Sequence, residues 1–203
     1  KAHGLSFDDL YLTFRQIEHS EELDSFYINA SLSFSTSSKS WYSIGVISGV
    51  FRVKALTNSN SINLLLQSRE TRNVNAFQSK VVIMSGRKDN IVIEVFENNV
   101  RLNTIPIKSD FPSNPAAFGK DEILMGFHTN LVKINIKSGK TESIVLPTSF
   151  ANIVDVKVLD DNKVVITDSD AAKIFFGRIE NNKFTIEKII GKSSSKRPQA
   201  IKV

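Results

Sequence analysis

The stretch VVITDSDAAKIFFGRI, residues 164–179, holds two apolar runs separated by a cluster of small and acidic residues. Both runs are short and rich in β-branched or aromatic residues, which are favoured in strands. The Thr-Asp-Ser-Asp cluster between them is typical of a turn, because Asp and Ser side chains bond to the neighbouring backbone. The stretch therefore predicts a β-hairpin whose turn carries Asp168 and Asp170.

Three other segments share this pattern of strand, polar break and strand: SIGVISGVFRVKAL (43–56), VVIMSGRKDNIVIEVF (81–96) and ILMGFHTNLVKINI (123–136). Their second strands alternate apolar and polar residues, so that one face is buried and the other faces water. The starts at Ile44, Val81, Ile123 and Val164 recur at intervals of 37, 42 and 41 residues. Propeller blades of the WD type repeat every 40–45 residues or so. The repeat predicts an all-β fold built from units of three or four short antiparallel strands.

The segment VVITDSDAAKIFFGRIENNKFTIEKIIG, followed by RPQAIKV, resembles blades of the NHL-like or WD-like kind. In such blades V-x-V-x-D-x-x-x-x-I forms the middle hairpin, and a Pro followed by an apolar strand opens the next blade. The stretch YSIGVISGVFRVKAL similarly resembles the Gly-containing hairpin of a WD blade. The resemblance covers about residues 41–203, without the Trp-Asp or Gly-His pairs of WD repeats. It implies an all-β, WD-like or NHL-like β-propeller, or a partial propeller, of four to five recognisable blades.

The domain organisation follows from the repeat. Residues 1–40 are expected to form an irregular or degenerate first blade, and residues 41–203 the propeller repeats. The approximate units are 41–74, 75–112, 113–150 and 151–192, with the start of a further blade at 193–203. Three explanations of the low blade count stay open: a short ring, a degenerate blade within 1–40, or blades on a missing segment or partner chain. The expected partners are other protein subunits, which complete the propeller or cover an open sheet edge.

Composition narrows the class of protein. Of the 203 residues 41% are apolar and 23% charged, as in ordinary globular domains. No apolar run reaches the 18 or so residues that a spanning helix needs, so no membrane insertion is expected. The absence of Cys excludes disulfides and thiolate metal sites. We expect an intracellular protein of the nucleus or cytoplasm.

Candidate chemical sites are few. The acidic residues Asp160, Asp161, Asp168 and Asp170 lack the glycine and regular spacing of a calcium loop, so the turn interpretation is favoured over a metal site. The histidines His3, His19 and His128 share no metal-binding spacing, and no G-x-S-x-G marks a nucleophile. We expect no enzyme activity, no cofactor, no metal and no catalytic residue. A propeller hydrolase or lyase stays the weakest hypothesis, and it would need Asp168, Asp170 and His128 to converge on a central channel.

The basic residues carry the main functional alternative, since the formal net charge is +5. They concentrate near the C-terminal end and around residues 69–88, and loops of successive blades bring such groups to one rim. The expected partner or phosphate contacts are Arg87, Lys88, Lys192, Lys196 and Arg197. The predicted function is a non-catalytic protein–protein interaction scaffold within a larger intracellular complex. The alternative is a nucleic-acid-associated subunit that binds DNA or RNA through a basic propeller rim.

Overall fold

The computed structural model describes residues 9–20, 25–35, 45–54, 62–67, 71–87, 90–98, 100–109, 111–160 and 162–191. Within these residues the chain forms sixteen β-strands. The first sheet contains β1 (Asp9–Ser20), β2 (Ser25–Ser35), β3 (Gly45–Lys54) and β4 (Ile62–Gln67). The second contains β5 (Thr71–Phe77), β6 (Lys80–Ser85), β7 (Ile91–Glu97) and β8 (Val100–Ile107).

The other two sheets follow along the chain. The third contains β9 (Ala116–Ala117), β10 (Glu122–Phe127), β11 (Asn130–Asn135) and β12 (Thr141–Ile144). The fourth contains β13 (Ile153–Asp160), β14 (Lys163–Asp168), β15 (Lys173–Glu180) and β16 (Lys183–Ile190). Each sheet is an antiparallel meander in which strands are neighbours in the order of the sequence. Four successive four-stranded meanders are the blades of a β-propeller, so the predicted all-β propeller fold is confirmed.

Two-residue loops close several of the hairpins. The loops between β5 and β6, β10 and β11, and β15 and β16 begin with Gln78, His128 and Asn181, which have φ values of 51°, 53° and 49°. Left-handed backbone at this position matches the twist of the flanking strands and allows a tight hairpin. Asn and His adopt it more readily than β-branched residues. The predicted polar break within residues 123–136 is therefore confirmed as a turn at His128.

Three of the four predicted hairpins are present, as β6–β7, β10–β11 and β14–β15. The prediction for residues 43–56 was wrong. Gly45–Lys54 forms one continuous strand, in which Ser48 and Gly49 pair with Ser31 and Ala30 of β2. A long partner strand keeps the ladder intact through these residues, so the chain does not turn there.

The regular spacing of the repeat therefore holds for the last three sheets and not for the first. Strands β6, β10 and β14 begin at Lys80, Glu122 and Lys163, at intervals of 42 and 41 residues. In the first sheet the corresponding second strand is β2, which begins at Ser25. Strands β1 and β2 arise from residues 1–40 and share a sheet with β3 and β4. Residues 193–203, where a further blade was expected, lie outside the described residues.

The contacts divide the chain into two compact units. One comprises residues 1–86 and 96–100, and the other residues 87–95 and 101–203. The core of the first unit contains Tyr27, Val50, Leu66, Val74, Val81, Ile83 and Phe96. The core of the second joins the third and fourth sheets through Ala116, Leu124, Leu131, Ile144, Phe150, Ile153, Val156, Val164, Ile166, Phe175, Ile179 and Phe184. Strand β15 alternates in burial, as the sequence predicts, whereas β6, β10 and β14 are buried almost throughout.

Candidate functional site

The acidic turn between β14 and β15 is organised by Asp168. This carboxylate is fully buried and accepts hydrogen bonds from four backbone N–H groups. The Ala151 N–H donates to Oδ2 at 2.7 Å, and the N–H groups of Asn152, Asp170 and Ala171 donate to Oδ1 at 3.1, 3.2 and 3.0 Å. Asp168 thus shapes its own turn and ties it to the segment that precedes β13. The turn interpretation of this cluster is confirmed.

The other acidic residues of the cluster have different surroundings. Asp170 is exposed and accepts a hydrogen bond from the Ser169 hydroxyl at 3.1 Å. Asp160 is exposed at the end of β13, and Asp161 lies outside the described residues. In the described part of the chain, no group of three His, Asp or Glu side chains is placed to hold a metal ion.

The same end of the second unit presents an aromatic ring to solvent. Phe111 is 68% exposed, and its ring lies edge-on to the imidazole of His128, with 6.3 Å between centroids. The backbone next to Phe111 is held by a bridge between Pro112 and Phe127. Ser113 adds two hydrogen bonds to Gly126, one through its N–H and one through its hydroxyl, both at 2.8 Å. The ring of Phe111 is therefore exposed next to a backbone that hydrogen bonds hold in place.

Backbone bonds connect this corner to the Asp168 turn. The N–H of Ile153 donates to the carbonyl of His128 at 2.6 Å, and the N–H of Ser169 donates to the carbonyl of Asn152 at 3.0 Å. We call residues 111–114, 128–129, 151–152 and 169–171 the Phe111 rim. The sequence pattern indicated Asp168, Asp170 and His128 but not Phe111. An aromatic residue within the polar, Pro-rich stretch KSDFPSNP was the available signal.

The opposite end of the third sheet carries a cluster of charges around Lys133. The Lys133 ammonium lies 3.4 Å from Glu122 Oε1 and 3.2 Å from Glu142 Oε2, and its side chain is 16% exposed. Glu142 also accepts hydrogen bonds from Lys140 Nζ and from Asn182 Nδ2, each at 3.0 Å. Because Asn182 belongs to the β15–β16 loop, the cluster joins the third sheet to the fourth. Sequence reasoning missed this cluster, since its members come from four separate segments.

Both central charges of this cluster are stabilised by their neighbours. Burial by itself would lower the pKa of Lys133, but hydrogen bonds and charge from Glu142 and Glu122 outweigh it, so the pKa is raised. Hydrogen bonds from Lys140, Asn182 and Lys133 lower the pKa of Glu142 from 4.5 to about 2. A nucleophilic lysine needs a lowered pKa, and a general acid needs a raised carboxyl pKa. The shifts therefore favour an electrostatic tie between sheets over proton transfer or nucleophilic attack.

A polar cleft of about 550 Å³ opens beside the cluster. Its apolar wall is formed by Phe118 and Ile179, and its polar side by Lys133, Glu180 and Asn182. A smaller recess of about 220 Å³ lies between Glu122, Lys133 and Glu142. In the cleft and the recess, Lys133 forms ion pairs with Glu122 and Glu142. Glu180, which also lines the cleft, is exposed.

Of the five predicted basic contacts, the structure describes only Arg87. Arg87 is exposed next to the β6–β7 connection, where its carbonyl accepts the N–H of Asn90 at 3.0 Å. Lys88, Lys192, Lys196 and Arg197 lie outside the described residues. A shared basic surface of these five residues stays a prediction. No helix among the described residues has the length and apolar character needed to cross a bilayer.

The chain is similar in structure to several solved proteins. A chain of a nidogen/laminin complex matches it with a TM-score of 0.56 and 8% identity, over 91% of this chain and 82% of that one. A chain of a mitotic checkpoint complex matches with a TM-score of 0.59 and 9% identity, over 91% and 56%. The WD40 domain of Neurospora crassa Pan2 matches with a TM-score of 0.52 and 12% identity, over 88% and 49%.

The last two comparisons cover only about half of the matched chains. At identities of 8–12%, these likenesses show the propeller fold and no specific function. No protein-family model and no curated protein matches the sequence. The resemblance to WD-like or NHL-like blades is thereby confirmed at the level of the β-propeller.

Proposed function

We propose that this chain is a non-catalytic platform for protein–protein interaction, acting within a larger intracellular complex of the nucleus or cytoplasm. The observation that carries the proposal is the exposed ring of Phe111 on a hydrogen-bonded backbone. Aromatic residues dominate the binding energy of many interfaces. A ring that is already fixed loses little conformational entropy when a partner covers it.

The electrostatics of the second unit support a non-catalytic role. Asp168 is buried and its oxygens bind four backbone donors, so it is engaged in holding a turn. The ammonium of Lys133 and the carboxylate of Glu142 stabilise each other in their charged forms. The weakest hypothesis, a hydrolase or lyase, required Asp168, Asp170 and His128 as reacting groups, and the bonds of Asp168 count against it.

The structural neighbours support the same proposal. Two of them come from assemblies, a nidogen/laminin complex and a mitotic checkpoint complex. We take the blades to be of the WD-like or NHL-like type, for which the Pan2 WD40 domain is the structural precedent. Rigid blades with variable loops suit a platform, because the strands hold the loops in fixed positions.

The second candidate is a subunit that binds DNA or RNA, and the net charge of +5 is the observation that favours it. Its contacts would be Arg87, Lys88, Lys192, Lys196 and Arg197. Binding through phosphates weakens steeply as the salt concentration rises, because bound cations are displaced from the nucleic acid. Reversal of charge at Lys192, Lys196 and Arg197 should then abolish binding.

The two candidates are separated by affinity capture from native cell extract, with and without nuclease, read by mass spectrometry. The proposal expects a stoichiometric protein partner that persists after nuclease treatment. Loss of all associated proteins on nuclease treatment would instead favour the nucleic-acid candidate.

A pair of variants locates the contact surface. Phe111→Ala should weaken retention of the partner by about tenfold or more, as expected for a central aromatic contact. Phe26→Ala is the matched control, since it removes another exposed Phe that packs against a histidine, at His19 on the first sheet. Equal retention by both variants would show that the Phe111 rim is not the contact surface.

A further inference from the structure

The polar cleft beside Lys133 is lined by more polar groups than the ion pairs use. Two of them are the side-chain amides of Asn162, in the loop between β13 and β14, and of Asn181, in the loop between β15 and β16. Both side chains are exposed, and within the described residues neither amide makes a hydrogen bond. Each amide therefore offers N–H donors and a carbonyl acceptor to a molecule that enters the cleft.

Hydrogen bonds hold the two loops that carry these amides. The carbonyl of Asn162 accepts the N–H of Ile179 at 3.0 Å, which joins the first loop to β15. In the second loop, the carbonyl of Asn182 accepts the N–H of Val145 at 2.8 Å, and the Asn182 side chain donates to Glu142 at 3.0 Å. Because these loops need little ordering when a ligand arrives, the entropy cost of binding is reduced.

Positive and negative charges lie side by side in the cleft and the adjoining recess. Glu142 is shared by Lys133 and Lys140, and Lys133 has a second glutamate partner. Glu180 lies opposite Lys183 in the register of β15 and β16. An anion would therefore meet carboxylates beside the ammonium groups, and a cation would meet ammonium groups beside the carboxylates. This arrangement favours an uncharged ligand.

The apolar wall of the cleft narrows the class of ligand further. Phe118 and Ile179 form this wall, and Phe118 also packs against the core of the second unit. A purely apolar ligand would take the free amides away from water without giving them partners, which is costly. Hydroxyl groups both donate and accept hydrogen bonds, as the amides require. A sugar ring combines adjacent hydroxyl groups with apolar C–H groups, so it matches both sides of the cleft.

We propose that this cleft binds a neutral saccharide, with hydroxyl groups on Asn162 and Asn181 and C–H groups on the apolar wall. Adjacent hydroxyls donate to the carbonyl oxygen of one amide and accept from its N–H group. The carboxylate of Glu180 accepts a hydrogen bond from a further hydroxyl. The cleft volume of about 550 Å³ lies within the range of small-molecule sites. This binding activity is additional to the proposed platform function.

The probes are maltotriose, cellotriose and triacetylchitotriose, titrated into the isotope-labelled full chain and followed by NMR. We expect at least one of them to bind with a dissociation constant of about 1 mM or lower and to shift the side-chain amide signals of Asn162 and Asn181. N-acetylarginine amide and inorganic phosphate are the charged comparisons, and each should bind about tenfold more weakly or worse. Absence of saccharide binding at about 10 mM, shifts confined to other residues, or tighter binding of a charged probe would overturn the proposal.

A matched pair of glycine variants locates the site. Asn181→Gly removes the amide and tolerates the φ of 49° at this position, so it should weaken saccharide binding by about tenfold or more. Asn98→Gly makes the same change at a φ of 50° in the loop between β7 and β8, and it should change binding by less than about twofold. Equal binding by wild type and Asn181→Gly would contradict the assigned contact. Phe111→Ala should bind saccharide as wild type does, so failure of the platform function and failure of this proposal are distinguishable.

Discussion

At the scale of single residues, buried and shared charges hold the second unit together. Asp168 shows how one carboxylate can replace several backbone partners. Its two oxygens bind N–H groups from both its own turn and the residues before β13. Within the Thr-Asp-Ser-Asp cluster, Asp168 supplies the acceptors that hold the turn.

Replacement of Asp168 should therefore be costly. Asp168→Ala leaves four N–H groups without their acceptor at a partly buried turn, and an unsatisfied buried group costs about 1–3 kcal/mol. We expect the free energy of unfolding to fall by about 3 kcal/mol or more, measured by urea denaturation. Asp170→Ala is the control and should change it by less than about 0.5 kcal/mol, since the side chain is exposed. Similar losses in both variants would refute the assigned role of Asp168.

The lowered pKa of Glu142 predicts that the stability of the protein falls in acid. Its folded-state pKa of about 2 lies below its ordinary value of 4.5, so its contribution to stability is complete above about pH 4.5. That contribution is lost as the pH falls from about 4.5 towards 2, because the unfolded state is protonated first and below both pKa values the carboxyl is protonated in both states. Wild type should exceed Glu142→Gln in melting temperature at pH 6, and the difference should vanish near pH 2. A difference that stays constant with pH would rule out the carboxylate charge as its source.

At the scale of strands and hairpins, local pattern and sheet pairing compete. The hairpins at β6–β7, β10–β11 and β14–β15 follow their sequence patterns, because polar breaks coincide with turns. Residues 43–56 have a sequence pattern similar to these hairpins, but Gly45–Lys54 forms one strand. Ser and Gly are compatible with both a turn and a strand, and the ten-residue ladder with β2 decided between them.

Close packing between strands of different sheets makes Gly126 sensitive to substitution. A Cβ atom at this position would overlap the side chain of Ile153 on β13, whose Cβ would lie 2.9 Å away. Gly126→Ala should therefore destabilise the chain by about 1–3 kcal/mol, as other overpacked positions do. Ile153→Ala in the same chain should recover part of this loss, which a double-mutant cycle would measure. Additive effects of the two substitutions would contradict direct contact.

At the scale of the whole molecule, side chains connect sheets that no shared ladder joins. In the first unit the side-chain amide of Gln16 on β1 forms hydrogen bonds with both the carbonyl and the N–H of Val74 on β5. Its Nε2 donates to the carbonyl at 2.7 Å, and its Oε1 accepts the N–H at 2.9 Å. The amide thereby imitates a residue of a neighbouring strand, and it links the first sheet to the second.

Loss of the hydrogen bonds between Gln16 and Val74 should lower the stability of the first unit. Gln16→Leu keeps the size of the side chain but removes the two hydrogen bonds to Val74 and a third to Glu18 Oε1. Each is worth about 0.5–1.5 kcal/mol. We expect a loss of about 1–3 kcal/mol in thermal or urea unfolding. Arg15→Leu, at the adjacent exposed position, is the control and should have little effect. An equal loss of stability in both variants would show that the added leucine, and not the missing hydrogen bonds to Val74, is the cause.

The sequence by itself determined the class of fold and most strand segments of this protein. Alternation of apolar residues, turn chemistry and a repeat near 41 residues are properties of neighbouring residues, and they are readable without a structure. The turn role of Asp168 followed in the same way.

The tertiary structure alone decided which residues are exposed and which residues lie together. Phe111 is one of 14 Phe residues, and its exposure depends on segments distant in sequence that leave it uncovered. The Lys133 cluster combines Glu122, Glu142 and Asn182, whose proximity follows from sheet pairing and the packing of two sheets. Burial and proximity are properties of the assembled chain, because each is set by contacts between residues that local pattern does not relate.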